Sequence, residues 1–191
     1  MRKSFLLILS LLSVVVYAQG HFKLTPDGFK TIDNKDFLVV DVTEESASSI
    51  YKMLETGLIS VFPSAHNNID KERNSRFSIT SVAYDLFRVN AGIGLQYIMD
   101  IEFHVVIDIK DGKYRILAPS ISHIGTLANY RISRMIVYGD PKLYKNYHKN
   151  QFIFNYKNRT VQNNSAKMAI ENYINSIVNK IININITNED W

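Results

Sequence analysis

Asp100, Glu102 and His104 alternate along one β-prone stretch, which sets their side chains on a shared face at steps of roughly 6.6–6.8 Å. A tight turn at Asp111-Gly112 folds the chain back. Counting from that turn puts Lys110 opposite Lys113, Asp108 opposite Arg115 and Asp100 opposite His123. Carboxylates and imidazoles converging in this way are the donor types that hold zinc or a similar cation. Asp100 and Glu102 are also a carboxylate pair, and glycoside hydrolysis uses two carboxyls about 5–9.5 Å apart in a cleft. Against both chemistries, Val106, Leu117 and Ile121 are expected on the same face, and they dilute the polar cluster. A solvated face with cross-strand ion pairs, each contributing roughly 0.2–1 kcal/mol, accounts for the same residues. No catalytic, cofactor-binding or metal-binding residue is therefore assigned, and no cofactor is expected.

Other chemistries find less support. Gly92-Ile-Gly94 is a fragment of a nucleotide-binding fingerprint without the third glycine or the following helix, and it reads as a bulge or turn. No serine sits in a Gly-x-Ser-x-Gly elbow, and there is no cysteine to act as a nucleophile. The five histidines are scattered and form no metalloprotease helix motif. Between Tyr130 and Arg159, tyrosines and phenylalanines (Tyr130, Tyr138, Tyr144, Tyr147, Phe152, Phe154, Tyr156) interleave with basic residues (Arg131, Arg134, Lys142, Lys145, Lys149, Lys157, Arg159). Such a surface suits sugar rings or an anionic polymer, and equally an edge segment whose tyrosines pack on a sheet.

These residues need positioning elements. Gln19 to Lys35 is a polar N-terminal segment with a turn at Pro26-Asp27-Gly28. Asp36 to Val42 reads as a short strand. Thr43 is a plausible cap for a helix whose apolar residues run from Ala47 to Phe62 and which Pro63 stops. Ser64 to Arg76 reads as a polar loop. Phe77–Val82 and Asp85–Val89 are two short strands or one bent strand, and Tyr97–Ile109 is the clearest strand of the chain. Asp111-Gly112 suits a type I′ turn, and Tyr114–Ile124 returns as partner, with Pro119 marking an edge or bulge. Residues 126–164 read as irregular or insert-like. Ser165 then caps a C-terminal helix over 165–186, with Ala166, Ile170, Tyr173, Ile174, Ile177, Ile181 and Ile184 inward and Lys167, Glu171, Asn175, Asn179 and Asn183 outward.

Residues 1–18 read as an export signal. Arg2 and Lys3 precede an apolar run, and Val16-Tyr17-Ala18 places small residues at −3 and −1 of a cut before Gln19. That run is too short to span a bilayer, and the cut carries no lipoprotein cysteine, so no membrane anchor is expected. The remaining 19–191 reads as one domain in the periplasm or secreted, large enough to be stable without disulfides. From residue 19 to 109 there are 8 Lys/Arg against 13 Asp/Glu, a net of −5, whereas 110–159 has 10 against 2, a net of +8. Either the two parts neutralise each other across the fold, or the stretch Lys110–Arg159 is the contact for an anionic envelope polymer or another envelope protein. Export argues against nucleic acid.

Three stretches carry a family resemblance. They are Asp41-Val-Thr-Glu-Glu-Ser-Ala-Ser-Ser-Ile-Tyr51 with its helix to Phe62, Arg76-Phe-Ser-Ile79, and Tyr97-Ile-Met-Asp-Ile-Glu-Phe103 through Asp111-Gly-Lys-Tyr-Arg115. Over roughly Asp36 to Gly125, plus the last helix by position, the chain resembles an uncharacterised family of exported domains with a TBP-like fold, found mainly in Bacteroidetes. The resemblance implies an α+β fold, an antiparallel sheet with two helices on one face in the order β-α-β-β-β(β)-α. It offers no catalytic residues. The function expected is a non-enzymatic accessory or partner-binding domain of the bacterial cell envelope. The alternative is a metal-dependent or hydrolytic envelope enzyme using the acidic face of the 97–124 hairpin.

Overall fold

A computed structural model describes residues 20–63, 68–92, 95–126, 134–139 and 151–184. The export signal and the basic residues Arg131, Lys142, Lys145 and Lys149 lie outside the described residues. The longest strands form the centre of the fold: β5 (Arg76–Gly92) pairs antiparallel with β6 (Leu95–Lys110). β6 alternates strictly. Met99, Ile101, Phe103, Val105 and Ile107 are wholly buried, and the residues between them face the other way. Around this pair the sheet runs β3 (Phe37–Asp41), β7 (Lys113–Leu117), β6, β5, β4 (Asn68–Glu72), with β8 (Ser120–Gly125) also pairing β6.

Both helices cover the apolar face. Helix α1 (Ala47–Val61) stacks Tyr51 on Phe77 of β5, with centroids 4.7 Å apart. Helix α2 (Asn164–Ile182) sets Tyr173 edge-on to Phe103 of β6, and the Tyr114 hydroxyl donates to the Ile181 carbonyl. The core lies between the sheet and these helices, as expected for an α+β layer pair. No described helix is long and apolar enough to cross a membrane.

Several sequence expectations need correction. The cap of α1 is Ser46, not Thr43; its hydroxyl accepts from Ser49 N–H, and Glu44 is left-handed at φ 74°. The Asp111-Gly112 turn is not type I′, because only Gly112 of the two has a positive φ. Asp111 instead turns its carboxylate to the Ala47 N–H at 2.7 Å, where the helix dipole favours an anion. Residues 68–72, read as loop, form β4. It is a charged edge strand with only Ile69 half-buried, so no apolar alternation announces it. β5 is one strand with a bulge between Ala83 and Phe87, where Asp85 adopts φ 53°.

The N-terminal segment, polar by composition, forms a hairpin of β1 (Phe22–Thr25) and β2 (Gly28–Thr31) with Phe22, Leu24 and Phe29 buried. The cap of α2 is Asn163 rather than Ser165, its side chain accepting from Ala166 N–H. Asn175, expected outside, is buried. Its Oδ1 accepts from Phe22 N–H at 2.9 Å, and its Nδ2 donates to the Phe22 carbonyl at 2.8 Å. One turn earlier Glu171 accepts from Leu24 N–H, and one turn later Asn179 meets His21. Glu171 and Asn175 of the polar stripe of α2 therefore dock β1 rather than facing water, while Asn179 stays exposed. In the segment read as irregular, the described parts hold isolated bridges, Ile136 with Phe152 and Phe154 with Val161.

Candidate functional site

The face of the sheet opposite the helices is uncovered by any described element, and it collects the residues that could do chemistry. Asp108 lies at its centre. Its carboxylate takes Arg76 Nε from β5 at 2.6 Å and the Arg115 guanidinium from β7 at 2.7 Å. Burial works against the Asp108 charge, but the hydrogen bonds and positive charges of both arginines outweigh it and hold its pKa below the ordinary aspartate value. The same pairing raises the Arg76 pKa. Arg115 also lies over the Phe37 ring, 5.6 Å from its centroid. The Asp108–Arg115 pairing expected from the turn is present.

His104 lies between two hydroxyls of β5. Its Nε2 is 3.2 Å from Ser78 Oγ and its Nδ1 is 3.1 Å from Thr80 Oγ1. A serine beside an imidazole is the start of a nucleophile pair, but hydrolysis also needs an orienting group behind the base and donors for an oxyanion. Here the second nitrogen meets another hydroxyl, and the neighbouring β5 and β6 amides belong to the sheet ladder. This arrangement fixes the ring between two strands.

The other ligand candidates are likewise turned to separate partners. Glu102 accepts from Ser122 at 2.6 Å. Asp100, only 6% exposed, accepts from the Asp85 N–H at 2.7 Å and so ties down the β5 bulge. His123 does not pair with Asp100. It lies opposite Glu102, and Gly125 lies opposite Asp100, because the chain breaks strand at Pro119 and bulges at Ser122. Ile121 pairs with Phe103 and so leaves the polar face. Among the described residues no three His, Asp or Glu side chains are grouped to hold a metal ion.

Two recesses flank this network. Near the β3 edge a groove of about 180 Å³ is lined by Phe37, Val39, Lys110, Lys113 and Arg115. Beside β8 a wider recess of about 360 Å³ takes in Ser122, His123, Arg134 and Ile136. Sequence reasoning missed Phe37, Val39, Ser78 and Thr80. Their signal was alternation (Arg76-x-Ser78-x-Thr80, Phe37-x-Val39), but only the pairings across β5–β6 and β3–β7 say which face each row joins.

The basic aromatic segment divides. Phe152 and Phe154 are core residues. The Tyr138 hydroxyl donates to the Tyr156 carbonyl at 3.2 Å, and Arg159 lies 5.0 Å over the Tyr138 ring while pairing with Asp27. This end of the segment is spent on holding the chain to the β1–β2 turn.

A helix-backed antiparallel sheet with a polar open face defines a mixed α+β domain. The fold is similar to a DUF4468 family protein from Bacteroides ovatus, with a TM-score of 0.47 and 7% identity over 76% of this chain and 84% of that one. It is also similar to a TBP-like protein from Parabacteroides distasonis, with a TM-score of 0.46 and 13% identity over 77% of this chain and 91% of that one. The sequence matches no family model and no curated protein.

Proposed function

We propose that this protein is an exported, non-enzymatic binding domain of the bacterial cell envelope, released by cleavage between Ala18 and Gln19. Its partner is anionic, a polymer or another envelope protein, and nucleic acid is not its ligand. The observation that carries this reading is electrostatic. On the open face and its flank, Lys110, Lys113 and Arg134 have no ion pair among the described residues, whereas Asp108, Asp100 and Glu102 are engaged within the fold; Asp41 stands across the strand pair from Lys113. Unpaired cations beside a shallow apolar groove favour association with negative charge and impose no reaction on it.

The test is binding of labelled poly-L-glutamate followed by fluorescence anisotropy. Affinity is expected to fall with rising salt and to drop at least tenfold when Lys110, Lys113 and Arg134 are all reversed to Glu. Equal binding of poly-L-lysine, or no binding of polyglutamate at low salt, overturns the reading.

A further inference from the structure

The two outer edges of the sheet differ in protection. Edge strands expose unpaired N–H and C=O groups, and proteins guard them with charge, proline or bulges. β4 carries Asp70, Lys71 and Glu72 within five residues. β3 reads Phe-Leu-Val-Val-Asp, with its one charge at the end. Phe37 is 36% and Val39 is 43% exposed, both on the open face.

The register shows which backbone groups are available. Val42 N–H donates to the Gly112 carbonyl, and Ala118 N–H donates to the Asp36 carbonyl. Even-numbered positions of β3 therefore point at β7, and alternation turns the N–H and C=O of Phe37, Val39 and Asp41 outward. Among the described residues no strand pairs with that edge.

We propose that the β3 edge is a strand-addition site for an extended peptide of another protein in which apolar and acidic side chains alternate. This inference rests on the binding-domain reading and names the partner's chemistry. An added strand bonds to Phe37, Val39 and Asp41 and sends every second side chain to the open face. There the first surface it meets is the groove formed by Phe37 and Val39, and the next is the cationic row of Lys113, Arg115 and Lys110. Lys113 and Arg115 on β7 are two strand spacings away, about 9–10 Å, which a lysine and a glutamate stem span together, and Lys110 on β6 lies one spacing further. A second copy of this chain complements the site less well, since it sets an identical cationic row against the first.

The experiment uses a blocked heptapeptide, Val-Glu-Val-Glu-Val-Glu-Val, and its lysine counterpart, with amide signals of the protein followed by NMR. The glutamate peptide is expected to shift the amides of Phe37, Val39 and Asp41. Its affinity should fall at least tenfold in Val39→Pro, whose lost N–H points away from β7, and at least threefold in Lys113→Glu. Should Val39→Pro fail to fold, the paired change Phe37→Ser with Val39→Ser replaces it and should also weaken binding at least tenfold. Shifts confined to another surface, equal binding of the lysine peptide, or no peptide binding overturn the proposal. A wild-type dimer in sedimentation that Val39→Pro converts to monomer also overturns it, by making a second copy the occupant. Polyglutamate binding to the wild type without heptapeptide binding ends strand addition alone. Loss of polyglutamate binding to the wild type ends the electrostatic reading beneath it.

Discussion

Asp108 joins three strands through two arginines, and its ionisation is coupled to folding. Its pKa is lower in the folded than in the unfolded chain. The stability it contributes is therefore present above the unfolded value, near pH 4, and is lost as pH falls through the folded value. Melting temperature recorded from pH 7 to pH 3 should drop more steeply in the wild type than in Asp108→Asn. Parallel curves would show that the carboxylate is not coupled. Asn175 works without charge. Replacing it by Leu strands the Phe22 N–H and C=O in a buried joint, at about 1–3 kcal/mol for each group. Urea unfolding of Asn175→Leu should show a loss of about 2–4 kcal/mol. Asn179→Ala, one turn on at an exposed bond, should stay within about 0.5 kcal/mol.

Helix α1 meets the chain just past the end of α2 where α1 lacks a side chain. A Cβ on Gly57 would fall 2.4 Å from Ile184 Cγ2. Alanine is better than glycine within a helix by up to about 1 kcal/mol, but overpacking costs about 1–3 kcal/mol. Because a β-branched neighbour cannot swing clear, we expect Gly57→Ala to destabilise by about 1 kcal/mol. In an Ile184→Ala background the same change should become stabilising, and the double-mutant cycle measures the reversal. Unchanged sign in both backgrounds would remove the close approach as the reason for this glycine. The elements themselves were unequally legible. β6 and both helices announce themselves because burial on one side only imposes a period on the sequence. β4 does not, since an edge strand of Asn, Asp, Lys and Glu has almost no buried side to pattern. The β1–β2 hairpin was hidden for a different reason: its partner is the polar stripe of a helix some 150 positions away.

At the scale of the whole molecule, the sheet has one face sealed by helices and one left open. Two positive residues of the second part of the chain meet negative residues of the first, Arg115 with Asp108 on the open face and Arg159 with Asp27 at the β1–β2 turn. Among the described residues, the cations of the stretch Lys110–Arg159 without an ion pair include Lys110 and Lys113 beside the β3 edge and Arg134 beside β8. Binding measured against salt on variants of each group separates these surfaces.

The sequence by itself determined which residues point together along each strand and helix, because side-chain direction follows the local period of the backbone. It thereby placed Asp100, Glu102 and His104 on one face and set Asp108 against Arg115 across a short turn. Only the tertiary structure decided what those side chains meet. The break at Pro119 and the bulge at Ser122 each shift register by a residue and together move His123 from Asp100 to Glu102, while the bulge near Asp85 hands Asp100 to a backbone amide. The same holds for the edge of β3. Its apolar residues are plain in the sequence, but that their backbone groups face outward beside a cationic row depends on which strand pairs with it, and pairing is a long-range outcome.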